Sequence, residues 1–270
     1  MNVAVRRLAQ LLKSRLCTEE QFSTPEYREW CLRIGEAPRL HRKQWEFCFI
    51  AQALSERGML GEGRRGLGFG VGQEPLPALF ASLGCEIVAT DLDLATAQQA
   101  GWVNTSQHAD GLASLNARGL CSADQFARLM SYRIVDMNAI PANLTGFDFV
   151  WSSCSFEHVG SIDLGKRFVI RAMDCLAAGG VAVHTTEFNV ASNFYTMSSG
   201  GTVLFRRTDI EALADRLIAA GYGIELDFDL GSGEADHYVD PPPYKSEPHL
   251  KLAIGTYIST SIGLIIQKPG

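Results

Sequence analysis

The 270-residue sequence predicts an α/β fold: a mostly parallel sheet with helices on both faces and an antiparallel pair at one edge. Three observations carry this. From Arg65 onward, short apolar runs alternate with helical stretches, the pattern of strands joined by crossover helices. The first such run opens into a glycine-rich turn, Gly66-Leu67-Gly68-Phe69-Gly70-Val71-Gly72. The second run ends on an acidic residue, Asp91.

Before Arg65 the pattern is helical, and residues 1–60 are expected to form a helical N-terminal extension to a domain spanning 61–270. Leu8, Leu11, Leu12 and Leu16 recur at helical spacing. Ser23-Thr24-Pro25-Glu26 has the form of a helix start, with proline in the first turn. Gln44 to Arg57 carries Trp45, Phe49, Ile50 and Leu54 on one face and stops at Gly58. The expected strands are Arg65 to Phe69, Glu86 to Thr90, Tyr132 to Val135, Phe147 to Ser152, Val181 to Thr185, Ile224 to Phe228 and Ser261 to Gln267. Helices are expected over Pro75 to Leu83, Asp93 to Ala100, Ala123 to Met130, Leu164 to Leu176 and Asp209 to Ala220. The last two strands have no helix between them, which predicts their antiparallel pairing. Asn189 to Gly201 and Gly231 to Leu250 read as long loops, where binding segments concentrate.

Composition narrows the function. Apolar residues make up 46% of the chain, enough for one sizeable core. Thirty acidic against 24 basic residues leave a formal charge of −6, and no Lys/Arg cluster exceeds a doublet. A duplex-binding protein needs a basic field to displace counterions, so nucleic acid is not an expected partner. No apolar run is long enough to span a bilayer, and no membrane partner is expected. The seven cysteines are scattered without a C-x-x-C pair, as expected of reduced thiols in a cytoplasmic protein.

The glycine turn and Asp91 point to a nucleoside. Glycines there allow a tight bend and a close approach of ligand to backbone N–H donors. Asp91 follows by roughly 20 residues, where a carboxylate can accept from both ribose hydroxyls. A dinucleotide site favours G-x-G-x-x-G, but the last slot here is Gln73. Asp93 reads as a helix cap rather than a ligand.

Together with the later segments, this order resembles class I S-adenosylmethionine-dependent methyltransferases. Gly68 to Gly72 and Ile87 to Leu92 resemble the first two motifs of that family. Ile134-Val135-Asp136-Met137 resembles the third, and Phe147 to Ser153 the fourth strand. Cys154-Ser155-Phe156-Glu157-His158-Val159 is similar to the S-x-x-E-H stretch of many small-molecule methyltransferases, and Leu176 to Val181 to the L-x-x-G-G turn. The resemblance covers residues 64–190 well and residues 1–60 barely. It implies a Rossmann-like sheet of seven strands with the last antiparallel, and S-adenosyl-L-methionine as cofactor. Its implied cofactor residues are Gly68, Gly70 and Gly72 through the backbone, Asp91 on the ribose with Leu92 beside it, Asp136 and Met137 at the adenine, and Ser153. It departs from the family at Gly66, where an acidic residue usually steadies the methionine end. Glu74 and Glu46 are the substitutes considered.

The implied reaction is methyl transfer to a small molecule, with an oxygen of a sugar or secondary metabolite as the first acceptor class. His158 and Glu187 are the expected catalytic residues. His184 reads as a core histidine, and His237, Tyr238 and His249 as loop residues able to reach a substrate. No metal is expected: H-E-x-x-H spacing is absent and methyl transfer requires none. Two other readings stand beside this one: a catalytically silent nucleoside-binding protein, and a nicotinamide-dependent oxidoreductase, which the absence of Tyr-x-x-x-Lys disfavours. Gly160 to Arg167 matches most of a P-loop but carries Arg167 where Ser or Thr should hold magnesium. Asp240-Pro241-Pro242-Pro243-Tyr244 resembles D-P-P-Y with an extra proline and in the wrong place.

Overall fold

The structure is a computed structural model describing residues 11–92 and 112–270. Leu8, Asp93 and the helix expected over Asp93 to Ala100 lie outside the described residues. In chain order the strands are β1 (Ser14–Leu16), β2 (Arg65–Phe69), β3 (Glu86–Asp91), β4 (Met130–Ile134), β5 (Phe147–Ser153), β6 (Leu176–Asn189), β7 (Leu226–Asp227), β8 (Val239–Asp240), β9 (Lys251–Ile254) and β10 (Tyr257–Gln267). The α-helices are α1 (Pro25–Arg33), α2 (Arg42–Glu56), α3 (Leu76–Ser82), α4 (Ala123–Leu129), α5 (Ile162–Ala172), α6 (Arg207–Ala219) and α7 (Glu234–His237).

Among the described residues one sheet holds all ten strands, in the order β4-β3-β2-β5-β6-β10-β1-β7, with β9 on β10 and β8 on β9. Strands β2 to β6 pair in parallel. β10 runs antiparallel to β6, in register from Ser259↔Asn189 to Gln267↔Val181. Strand order reverses between β2 and β5, so their carboxyl ends open a crevice where this kind of sheet binds ligands.

Both faces are covered. On one, Trp45, Phe49, Ile50 and Leu54 of α2 pack with Phe80, Phe149 and Trp151. On the other, Phe69, Phe156, Phe168, Leu213 and Leu264 form the second core. Local signals set the helix ends. Thr24 Oγ1 accepts from Tyr27 N at 3.2 Å with Pro25 in the first turn, the expected helix start. Ser161 Oγ accepts from Leu164 N at 3.2 Å and caps α5, which is the work done by the P-loop-like segment.

Three expectations are corrected. The helical spacing through Leu11, Leu12 and Leu16 does not make a helix at its end: Ser14–Leu16 is a strand, pairing Arg15↔Gly263 on one side and Ser14↔Leu226 on the other. A free sheet edge offers those backbone partners, and tertiary pairing overrides local periodicity. The strand expected over Ile224 to Phe228 shortens to Leu226–Asp227 and does not pair directly with β10 along its length, because β1 lies between them; Gly223↔Gln267 is their one isolated bridge among the described residues. The seven-stranded count is exceeded by β1, β8 and β9.

Candidate active site

The glycine turn leaves β2 at the crevice. Gly70 and Gly72 have φ of +57° and +48°, conformations that a side chain resists. A Cβ on Gly70 would lie 2.8 Å from Ser155 Cβ and 3.4 Å from Met137 Sδ, so the turn, the segment after β4 and the segment after β5 converge there. Gly68 is closed from below: a Cβ would lie 2.4 Å from the Trp151 ring. Asp91, at the end of β3, ties the turn to its neighbour. Its Oδ2 accepts from Gly72 N at 3.0 Å and its Oδ1 from Leu92 N at 2.8 Å. Asp136 is exposed, and its Oδ1 accepts from Asn138 N at 2.8 Å. Met137 is buried. Thus Gly68, Gly70, Gly72, Asp91, Leu92 and Met137 gather about one turn, with Asp136 beside Met137 on the rim.

Gly66 has a steric reason for its lack of a side chain. A Cβ there would lie 2.3 Å from Phe149 Cζ and 2.9 Å from Ile87 Cδ1. Two buried carboxyls lie near the turn instead. Glu74 is 8% exposed and accepts from Trp151 Nε1 at 2.6 Å. Burial pushes it up to about 8, against the lowering effect of the Trp151 hydrogen bond. Glu46 accepts from Ser261 Oγ at 2.6 Å and from Ser153 Oγ at 3.4 Å, and pairs with Lys43 Nζ at 2.8 Å. Burial raises its carboxyl, but Lys43, Arg42 and these hydrogen bonds together bring it below the ordinary range.

Beyond Ser153 the ends of β5 and β6 meet the start of α2 in a pocket of charged side chains. Arg42 Nη2 pairs with Glu187 Oε1 at 2.5 Å, and Ser259 Oγ donates to Glu187 Oε2 at 2.5 Å. Glu157 is 1% exposed; its Oε2 accepts from Thr186 Oγ1 at 3.0 Å, while its Oε1 has no hydrogen-bond partner. Burial first, and then the charge of Glu187, push Glu157 up to about 8. His158 Nδ1 bonds to the Gly201 carbonyl at 2.8 Å, and its Nε2 lies 3.8 Å from Glu157 Oε1. Burial lowers the pKa of this imidazole. His158 and Glu187 therefore come to one pocket, with Glu157 between the strand ends.

The remaining histidines separate. His184 is fully buried, bonded through Nδ1 to Ser152 Oγ at 2.8 Å, and burial lowers it to about 3; it is a core residue. His249 bonds through Nδ1 to the buried Asp240 at 2.7 Å and stacks on His41. His237 is exposed, and Tyr238 is half-buried. Arg42, Lys43 and Cys154 are the residues that sequence reasoning missed. An Arg-Lys-x-x-Glu start to an amphipathic helix was the only trace of the first two.

No family model and no curated protein matches the sequence. Solved structures do match. Phosphoethanolamine N-methyltransferase 2 of Haemonchus contortus, in complex with phosphomonomethylethanolamine and S-adenosylhomocysteine, superposes with a TM-score of 0.51 at 16% identity, over 90% of this chain and 56% of its own. A TehB-like S-adenosylmethionine-dependent methyltransferase from Corynebacterium glutamicum gives 0.46 at 14% identity over 88% and 92%. Magnesium protoporphyrin IX methyltransferase from Synechocystis, with bound S-adenosylhomocysteine, gives 0.48 at 10% identity over 84% and 83%. The fold is that of S-adenosylmethionine-dependent methyltransferases. In the methyltransferase fold of this chain, the crevice between β2 and β5 is flanked by the glycine turn and the charged pocket. No helix among the described residues is long and apolar enough to cross a membrane.

Proposed function

We propose that the protein is an S-adenosyl-L-methionine-dependent methyltransferase acting on a small molecule. One observation carries the reading: the Asp91 carboxylate, at the end of β3, holds Gly72 N at 3.0 Å, so the glycine turn and the ribose-reading acid form one unit at the switch point. The residues fit the cofactor. Gly70, without a side chain, lets the segments carrying Ser155 and Met137 close on the turn, Asp91 is placed to accept from the ribose, and Met137 and Asp136 border the adenine side. Ser153, with Glu46 behind it, stands where the methionine end would lie, in place of the acid missing at Gly66. When bound, the sulfonium supplies an activated methyl group whose leaving group is neutral.

The protein's part is then to align the acceptor and exclude water. His158 and Glu187 border the acceptor position. Glu187 is held by Arg42 and Ser259 and positions. His158, kept neutral by burial, is the group able to take a proton from the acceptor. The negative overall charge supports a small molecule over nucleic acid. A sugar-like oxygen is the first acceptor class. An amine is the second, because the pocket is rich in carboxylates and the Haemonchus contortus neighbour is an N-methyltransferase.

Calorimetric titration with S-adenosylhomocysteine, run beside NADH, tests the cofactor. Saturable binding of the first alone is expected. Binding of NADH alone, or of neither, ends the proposal. Transfer of labelled methyl groups to a panel of polyols and amines then separates the acceptor classes.

A further inference from the structure

The charged pocket holds three carboxyls against two basic partners. Glu46 is paired with Lys43 and Glu187 with Arg42. Glu157 has no such partner; its nearest basic atom is His158 Nε2 at 3.8 Å, and its Oε1 is buried without a hydrogen bond. Leaving a carboxylate oxygen in that state is costly unless a cation or a proton compensates it. Cys154 lies beside it. A sulfur of Cys154 and one carboxylate oxygen each of Glu157 and Glu187 all fall within 4.8 Å of one another. Thr185 Oγ1 donates to Cys154 Sγ at 3.8 Å, while burial, and then the charges of Glu157 and Glu46, push the thiol's pKa up, so that binding a cation there releases its proton.

Cys154 is also the sole non-glycine residue of positive φ among the described residues, at +46°. A bulky side chain adopts that region at some energetic expense, and such residues concentrate at ligand clamps. The backbone is pinned there by Cys154 N, which donates to both Thr185 O and Thr185 Oγ1 at 3.1 Å.

We propose that Cys154, Glu157 and Glu187 form a binding site for a thiophilic divalent cation of the zinc type. Binding displaces the protons of Cys154 and Glu157 into solvent, and the thiolate and carboxylate then supply two negative charges, which one dication neutralises. Three protein ligands with mixed sulfur and oxygen donors leave a fourth position for a water or a substrate atom. The expectation of no metal rested on local spacing and on a reaction that requires none; these three ligands come from two different strand ends, and the site rests on their geometry alone. The site goes beyond the methyl-transfer reading, since metal binding needs neither cofactor nor acceptor.

The test is a titration of the full chain, freed of metal by a chelator, with cobalt(II). The expected result is one cobalt per chain with a thiolate-to-cobalt charge-transfer band in the near ultraviolet, displaced by one equivalent of zinc. Cys154→Ser removes the band, Glu157→Gln weakens binding, and Thr185→Val, which loses the hydroxyl's hydrogen bonds to the sulfur and to Cys154 N, weakens it by about tenfold. Cys121→Ser leaves the band intact. Absence of the band in the unaltered protein overturns the proposal without recourse to any variant. A band that survives Cys154→Ser in a protein with native circular dichroism overturns it as well, as does binding only at millimolar metal.

Discussion

The glycine turn and the charged pocket open on the same end of the sheet but are built in opposite ways. The turn works through backbone: it excludes side chains at Gly66, Gly68 and Gly70 because Phe149, Trp151 and Ser155 already fill the space. The pocket works through side chains that reach inward from α2, β5, β6 and β10 and, Glu157 Oε1 apart, hydrogen-bond one another. A backbone site tolerates no added atom. A side-chain network tolerates no missing partner. The two regions should therefore fail differently under mutation.

The largest effect is expected where both rules are broken at once. Gly66→Asp restores the acid usual at that position in the family, yet it should destabilise the protein by roughly 4–8 kcal/mol, the combined cost of overpacking against Phe149 and of burying an unpaired charge. Urea unfolding, or loss of soluble protein, reads this out. A variant of native stability would show that the turn is not closed from below.

Arg42→Met tests the pocket alone. Removing one partner of a buried ion pair strands Glu187, and a loss of about 3–5 kcal/mol is expected in the same unfolding assay. If the loss is within the range of an exposed pair, the network is not the interlocked unit described above.

Asp91→Ala tests the turn as a binding device. S-adenosylhomocysteine should bind about 1.5–3 kcal/mol more weakly by calorimetry, with a smaller change in unfolding midpoint than Arg42→Met. Unchanged affinity would remove Asp91 from the ribose role.

The smallest effect per pH unit sharpens the boundary between the two regions. Glu74 has a folded pKa raised to about 8, above its unfolded value of about 4.3. The folded state then binds the extra proton. Its stabilising share is complete below the unfolded value and is lost as pH rises toward and through about 8, with a slope of at most about 1.4 kcal/mol per pH unit. Glu74→Gln, which keeps an acceptor for Trp151 Nε1, should remove that share of the slope. Unfolding midpoints measured at about pH 5 and about pH 9 check the difference; parallel profiles for the two proteins would contradict it.

Which parts were legible in advance follows from the same contrast. Strands β2, β3 and β5 lie where their apolar runs and terminal polar residues put them, because a buried parallel strand needs a continuous apolar run. The glycines and Asp91 are legible because one helix and one strand separate them in the chain. The strand at Ser14–Leu16 was not, since its residues also fit a helix and only the edge of β10 decides between them. Neither was the pairing of Arg42 with Glu187, 145 residues apart. Charged residues at a helix start are usually solvated, and nothing local distinguishes these from others.

By itself, the sequence determined the parallel α/β core, the turn that leaves its first strand, and the acid on the next, because each depends on residues a few positions apart. Tertiary structure alone decided that an N-terminal segment completes the sheet beside β10. It alone also decided that helix α2 delivers Arg42 onto Glu187 of the distant strand β6. Charge pairing of that kind depends on distance in space, which the spacing of residues along a chain does not encode.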